Sequence, residues 1–387
     1  MKVINVKKKL FIILLCITPL LNFFELQALL NNKVTTLSIA LTPIYIKILK
    51  EFIIFIILFI FLLEIIKKFK LPNIGIYYFL IFLFTISMLI SSINENILLI
   101  LAGIKWMLPV IFFIIFFNAV DYFLIKKIVK ILIILIFLEF FLQIIESLYF
   151  PHWFGTNFFG LNLRNPGFFI VPNTAALFYM CSFIYIFFFY EQNFLQKIIL
   201  YIIVPIGIYL TASGTGIIIL FTMYFILIFF KIKQKISMFL LFVLSLTVIF
   251  FFLPEITGRK DIYISFLIRV EIFYEKLSHI MFFSTNFGKA TNSAVLIGEK
   301  NAFIADNMIT SLLYNIGFVG TFLFFIILIF IFKPLKAINL KLALMLYSII
   351  IFSSLTTIII SVFPVNYLIV VLLIYGIKYN IYNKRLV

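Results

Sequence analysis

Long apolar runs separated by short polar stretches set the rhythm of the chain. Segments such as FIIFIILFIFLLEII (52–66) and TFLFFIILIFIF (321–332) show no two-residue alternation and are too long for strands. A helix that crosses a bilayer needs about 20 mostly apolar residues. Reading each run against its flanks predicts about twelve spans: 10–30, 44–66, 73–93, 97–117, 128–148, 174–190, 198–211, 216–230, 236–253, 308–332, 342–362 and 367–378. The expected architecture is therefore all-α, a polytopic integral membrane protein with one membrane domain over residues 1–387. Two longer polar stretches interrupt it, 149–173 and 254–306, the second between the ninth and tenth spans. Within the second, Ile262, Phe266, Arg269 or Val270, Phe273 and Leu277 recur at helical spacing with charges between them. That spacing predicts an amphipathic helix lying on the membrane surface or capping the bundle.

Composition strengthens this reading. Only 12% of the 387 residues are charged and 65% are hydrophobic, whereas a soluble domain keeps about 25% charged residues. The net charge of +17 would suggest nucleic acid in a soluble protein. In this chain the lysines flank apolar runs, where they orient spans and meet anionic lipid, so no nucleic-acid partner is expected. With the N-terminus inside, twenty of the 31 basic residues fall in short inner segments and ten fall outside, with Lys105 inside a span. Both termini are thus expected on the cytoplasmic side, with 149–173 and 254–306 external. The basic start MKVINVKKKLFIILLCITPLL runs on as an apolar segment and is read as the first span rather than a cleaved signal. Cys16 and Cys181 lie far apart inside apolar runs and read as small core residues. Two histidines, two cysteines and no carboxylate pair at ligand spacing call for neither metal nor cofactor.

Arginine is rare enough to be informative. The four are Arg164, Arg259, Arg269 and Arg385, and the first three fall outside, against the trend set by lysine. A guanidinium grips two phosphate oxygens at once and stays charged near lipid. Arg164, Arg259 and Arg269 therefore suit either a phosphate or pyrophosphate substrate or an anchor to lipid headgroups. Lys105, in LAGIKWMLPV, sits mid-span, where a charge is expected to face the bundle interior or a watery cavity, with snorkelling as the alternative. Glu139 and Gln143 share one helix face and are expected to pair with Lys105 or with each other. His152 and His279 are lone histidines suited to packing or to an interface. Trp153, Phe154, Phe158 and Phe159 suit an interfacial aromatic belt or sugar stacking.

Four stretches, taken in order, resemble the superfamily of O-antigen polymerases and ligases. LRNPGFFIVPNTAALF (163–178) is similar to its external Arg, Gly-aromatic turn and Pro-Asn opening a span. LTASGTGIIIL (210–220) is similar to its Thr-x-Ser-Arg-Gly turn, with Gly214 where the arginine would stand. RVEIFYEKLSHIMFFSTNFGKATNS (269–293) resembles the stretch that runs from an Arg through an aromatic helix to a glycine turn. DNMITSLLYNIGFVGT (306–321) resembles the ligase element of His-Asn, nine residues and Gly-x-x-Gly, with Asp306 in place of the histidine. The resemblance implies a glycosyltransferase that joins undecaprenyl-pyrophosphate-linked oligosaccharide repeat units at the outer face of the inner membrane. The missing histidine favours polymerase over ligase. A repeat-unit flippase is a further alternative, though such a transporter would want mid-membrane charges and repeated halves.

On this resemblance, Arg164 and Arg269 clamp the leaving pyrophosphate and Asp306 orients or deprotonates the acceptor hydroxyl, N-capping of the next helix being its alternative role. Arg259, Lys105, Asn173, Asn307 and His279 are the further candidates for holding substrate. Membrane lipid and a chain-length regulator protein are the implied partners.

Overall fold

A computed structural model describes residues 2–30, 43–68, 75–93, 96–149, 164–165, 167–191, 193–259, 262–296, 298 and 302–383. The aromatic run from Trp153 to Phe159, with His152, lies outside these residues. The described chain is all-helical, with no strand. Helices occupy Lys2–Cys16 (α1), Phe23–Leu30 (α2), Ile44–Lys68 (α3), Gly75–Ser92 (α4), Ile97–Phe116 (α5), Tyr122–Tyr149 (α6), Pro172–Phe189 (α7), Phe194–Ile198 (α8), Val204–Thr211 (α9), Gly214–Phe229 (α10), Lys235–Thr257 (α11), Ile262–Leu277 (α12), Asn292–Leu296 (α13), Met308–Ile338 (α14), Leu340–Ser354 (α15) and Val365–Asn383 (α16). A π-helical turn, Ile199–Ile203, joins α8 to α9.

Among the described residues, seven helical stretches are long and apolar enough to cross a membrane: Val3–Gln27, Ile97–Phe116, Tyr122–Leu148, Pro172–Phe189, Phe194–Thr211, Lys235–Thr257 and Met308–Ile338. Shorter apolar helices occupy Ile81–Ser92, Gly214–Phe229, Leu340–Ser354 and Val365–Tyr379. This fits an α-helical membrane protein. Local chemistry sets several boundaries. Asn96 caps α5 through Leu98 N–H, Ser213 caps α10 through Gly216 N–H, and Asn339 caps α15 through the amides of Lys341 and Leu342. Pro172 opens α7 at a position where its missing N–H costs nothing.

The chain divides into two compact units. The first comprises 1–67, 119–263 and 344–349; the second comprises 68–118, 264–343 and 350–387. In the first, α6 packs against α1, α7 and α9, and α7 also meets α10, which meets α11. Its core is the buried face of α7, where Tyr179, Phe183 and Tyr185 are fully enclosed. Lys7 on α1 is also fully enclosed and ion-pairs with Glu64 on α3. In the second unit, α14 packs on α4 and α16, and α16 on α5. The stretch with helical spacing around Phe266 and Phe273 is a helix, α12, and none of its described residues is buried.

Candidate functional site

In the first unit, the stretch that begins at Arg164 folds onto a row of polar side chains. Glu139, Gln143 and Glu146 lie at spacings of four and three along α6, so they share one face. Gly167 donates its N–H to Glu146 Oε2 at 3.0 Å, and Phe168 donates to Glu139 Oε2 at 3.0 Å. The other side of the turn is tied by Asn22, whose amide donates to the Phe168 carbonyl at 3.1 Å and the Phe169 carbonyl at 3.3 Å. Gly167 has φ +56°, and a Cβ there would run into the Glu139 carboxylate. Only glycine satisfies both demands. Phe168 and Phe169 then insert beside Phe178 of α7.

Arg164 itself is buried, 3% exposed, and its Nε donates to the Thr211 carbonyl at 3.2 Å. Asn165 N–H donates to the neighbouring Leu210 carbonyl at 2.9 Å. The 164–165 segment is therefore stitched to the turn after α9, where Ala212 adopts φ +48°. Ser213 closes the same turn by donating from Oγ to Asn173 Oδ1 at 2.9 Å. Three sequence-selected positions, Arg164, Asn173 and the 210–214 turn, thus meet in one place. A Cβ on Gly214 would meet Ile262 Cδ1 at 2.6 Å, so the arginine that the resembling motif carries there would need the Ile262 side chain to move. Arg259, also in this unit, is buried just after α11, with its amide donating to the Pro254 carbonyl at 2.9 Å.

The expected pairing of Glu139 and Gln143 with Lys105 or with each other gives way to a different arrangement. Glu139 takes the Phe168 amide and Gln143 Oε1 takes the Tyr179 hydroxyl at 2.9 Å. Lys105 belongs to the second unit, where it is exposed on α5. A long apolar stem lets such a lysine carry its charge toward an interface.

In the second unit, Arg269 reaches from α12 to the segment that precedes α14. Its Nε donates to the Asp306 carbonyl at 3.3 Å, and its Nη1 donates to the Ser265 carbonyl and hydroxyl, each at 2.7 Å. Asp306 adopts φ +52°, a conformation that Asp tolerates better than most residues. It keeps an exposed surface, yet surrounding protein removes enough water to raise its carboxyl above the usual range, with the Arg269 guanidinium opposing the rise. The N-cap of α14 is Asn307, whose Oδ1 accepts from Thr310 N–H at 2.8 Å. The capping role considered for Asp306 therefore belongs to its neighbour, and the Asp306 carboxylate is spared it. Asn307 is buried and its amide donates to the Ala305 carbonyl. His279 is exposed beyond the end of α12, where its amide closes a turn onto Lys276.

Two lysines that the sequence did not single out join this region. Lys276, two turns along α12 from Arg269, lies 5.3 Å from the centre of the Phe303 ring and hydrogen-bonds Glu275, whose carboxyl it holds below the usual range. Lys289 is 9% exposed, its ammonium donates to Asn286 Oδ1 at 3.2 Å, and its carbonyl accepts from Phe303 N–H. Asn315 anchors this segment. Its Oδ1 accepts from the amides of Gly288 at 2.9 Å and Ala290 at 3.3 Å, and its Nδ2 donates to the Ala290 carbonyl and to Ser311 Oγ, both at 3.2 Å. Two residues further on, α14 breaks at Gly317, with φ +73°. The freed amides of Phe318 and Val319 donate to the Met281 and Phe282 carbonyls, and a Cβ on Gly317 would collide with that backbone. An apolar cavity lined by Pro109, Met308, Phe324, Ile350, Ile360 and Leu373 starts at the residue after Asn307.

The arrangement holds buried or half-buried cations beside hydrogen-bonding groups at the ends of apolar helices, and in the second unit it sets a carboxylate next to them. Such a layout can bind an anion and accept a proton. No family model, curated protein or solved structure matches the chain.

Proposed function

We propose that the protein is a polymerase of surface polysaccharide, joining undecaprenyl-pyrophosphate-linked repeat units at the outer face of the bacterial inner membrane. The observation that supports this reading is the hydrogen bond of Arg269 to the Asp306 carbonyl at the head of a spanning helix, with Lys276 and Lys289 both meeting Phe303 just before it. A cation and a desolvated carboxylate are the two groups the transfer needs. The bond between the donor sugar's anomeric carbon and the pyrophosphate oxygen breaks, and the acceptor hydroxyl oxygen forms the new bond to that carbon. The hydroxyl proton passes to Asp306, and carrier pyrophosphate leaves with the bonding electrons. Arg269 meets the charge that grows on the leaving group. A carboxyl raised by desolvation is the better base for it. In the first unit, Arg164, held by the 210–213 turn, is a separate candidate for binding an anion, and in the second the apolar cavity at Met308 suits a polyprenyl chain.

Deleting the gene and resolving lipopolysaccharide on a gel tests the reading. Loss of long chains with a single capped repeat unit retained supports it. Accumulated carrier-linked polymer with uncapped core would make the protein a ligase. Repeat units trapped on the inner leaflet would make it a flippase.

A further inference from the structure

The row on α6 that seats the 167–168 turn has more polar atoms than that turn satisfies. Glu139 and Gln143 are fully buried and Glu146 is 1% exposed, all within the span Tyr122–Leu148. Each carboxylate uses one oxygen on a backbone amide, and because those amides belong to consecutive residues the two carboxylates come together over one peptide unit. Their other oxygens, Glu139 Oε1 and Glu146 Oε1, are buried with no hydrogen-bond partner. So is Gln143 Nε2, one turn from each along the same face, and so is Ser182 Oγ, one turn along α7 from Tyr179. Among the described residues, neither carboxylate forms an ion pair. The other charged or titratable groups on elements packed against α6 are already placed. Lys7 and Lys8 of α1 bind Glu64 and Asp121, Lys9 and Cys16 of α1 are exposed, Tyr179 bonds Gln143, Cys181 and Tyr185 are enclosed in α7, Tyr209 of α9 is exposed, and Arg164 Nε is on Thr211.

Two adjacent carboxylates in an apolar span need a compensating positive charge. The unused Gln143 Nε2–H on the same face can donate to a free carboxylate oxygen or to a water that hydrates the cation. We propose that Glu139 and Glu146, steadied by the Gln143 amide between them, bind one monovalent cation, a proton or an alkali-metal ion, inside the membrane-spanning part of the protein. The same carboxylates hold Gly167 and Phe168, so the bound cation and the seating of the Arg164 turn are linked: losing the charge sets the carboxylates against each other beneath the turn. The inference does not depend on the polysaccharide reading, because its test reads the cation and not turnover.

The test uses the full chain in lipid nanodiscs. Infrared spectra at neutral pH are compared for the wild type, Glu139→Gln and Glu146→Gln, and thermal unfolding is followed in sodium chloride against choline chloride at constant ionic strength. A carboxylic-acid carbonyl band that is lost in either variant identifies the cation as a proton. A saturating stabilisation by sodium, absent in both variants, identifies it as an alkali-metal ion. Two ionised carboxylates with no response to sodium would overturn the proposal. Should a variant fail to fold, the carbonyl band and the sodium response of the wild type decide the same question.

Discussion

Asn315 gives the sharpest test of how the segment that carries Lys289 is held. Replacing it with alanine removes four hydrogen bonds and leaves the buried amides of Gly288 and Ala290 without their acceptor. The Ala290 carbonyl keeps Ser311 Oγ as a donor at 2.8 Å, so the cost falls on the two amides. A buried donor left unsatisfied costs about 1–3 kcal/mol, which places Asn315→Ala at about 2–6 kcal/mol. Ser311→Ala is the internal control. It removes a donor to a carbonyl that Asn315 Nδ2 still serves and one of the two acceptors of Nδ2, which keeps the Ala290 carbonyl, a loss of about 1–2 kcal/mol. Thermal unfolding of both variants in the same detergent should therefore give a midpoint for Asn315→Ala well below that of Ser311→Ala. Equal midpoints would mean that Asn315 does not hold the 288–290 backbone, and the placement of Lys289 would lose its support.

Other expectations follow from single contacts. Gly317→Ala should destabilise by about 1–3 kcal/mol for the left-handed backbone alone, with more from the collision at Met281 and Phe282, as read by the unfolding midpoint. Arg164→Ala and Arg164→Lys should both abolish long chains on a lipopolysaccharide gel, because a lysine has neither the Nε donor to Thr211 nor a planar fork; full activity in Arg164→Lys would reduce the residue to a point charge. Burial raises the Asp306 carboxyl, so folding favours its protonated form. The stability it contributes is complete below the unfolded value of 3.8 and is lost as pH rises through the folded one. Asp306→Asn should therefore gain midpoint over the wild type as pH rises from acid to neutral, while losing polymer synthesis.

Elements of strong period were legible and their chemistry was less so. The run 97–117 becomes Ile97–Phe116, bounded by Asn96, and the run 174–190 becomes Pro172–Phe189, opened by Pro172. The helical spacing around Phe266 and Phe273 locates α12. Span number was less readable, because Gly214–Phe229 and Leu340–Ser354 are helical but short, and hydropathy alone cannot separate a short span from a buried helix. The break at Gly317 is held by the Met281 and Phe282 carbonyls, far away in sequence, which a local pattern does not encode. The sequence marked Glu139 and Gln143 as one face, yet their partners lie 29 and 36 residues away. Glu146 went unnoticed for the same reason. Between Asp306 and Asn307 both residue types cap well, and only the backbone decides that Asn307 does so. Lys276 and Lys289 were lost among 27 lysines, where burial and a ring contact, not residue type, set them apart.

The most direct measurement is reconstitution of the purified chain in proteoliposomes with a single undecaprenyl-pyrophosphate-linked repeat unit and no other protein. A ladder of products two or more repeat units long, formed with release of undecaprenyl pyrophosphate and absent in Arg269→Ala, is the expected result. Repeat units that cross the bilayer or transfer only to lipid A core, with no ladder, would contradict polymerisation as the function.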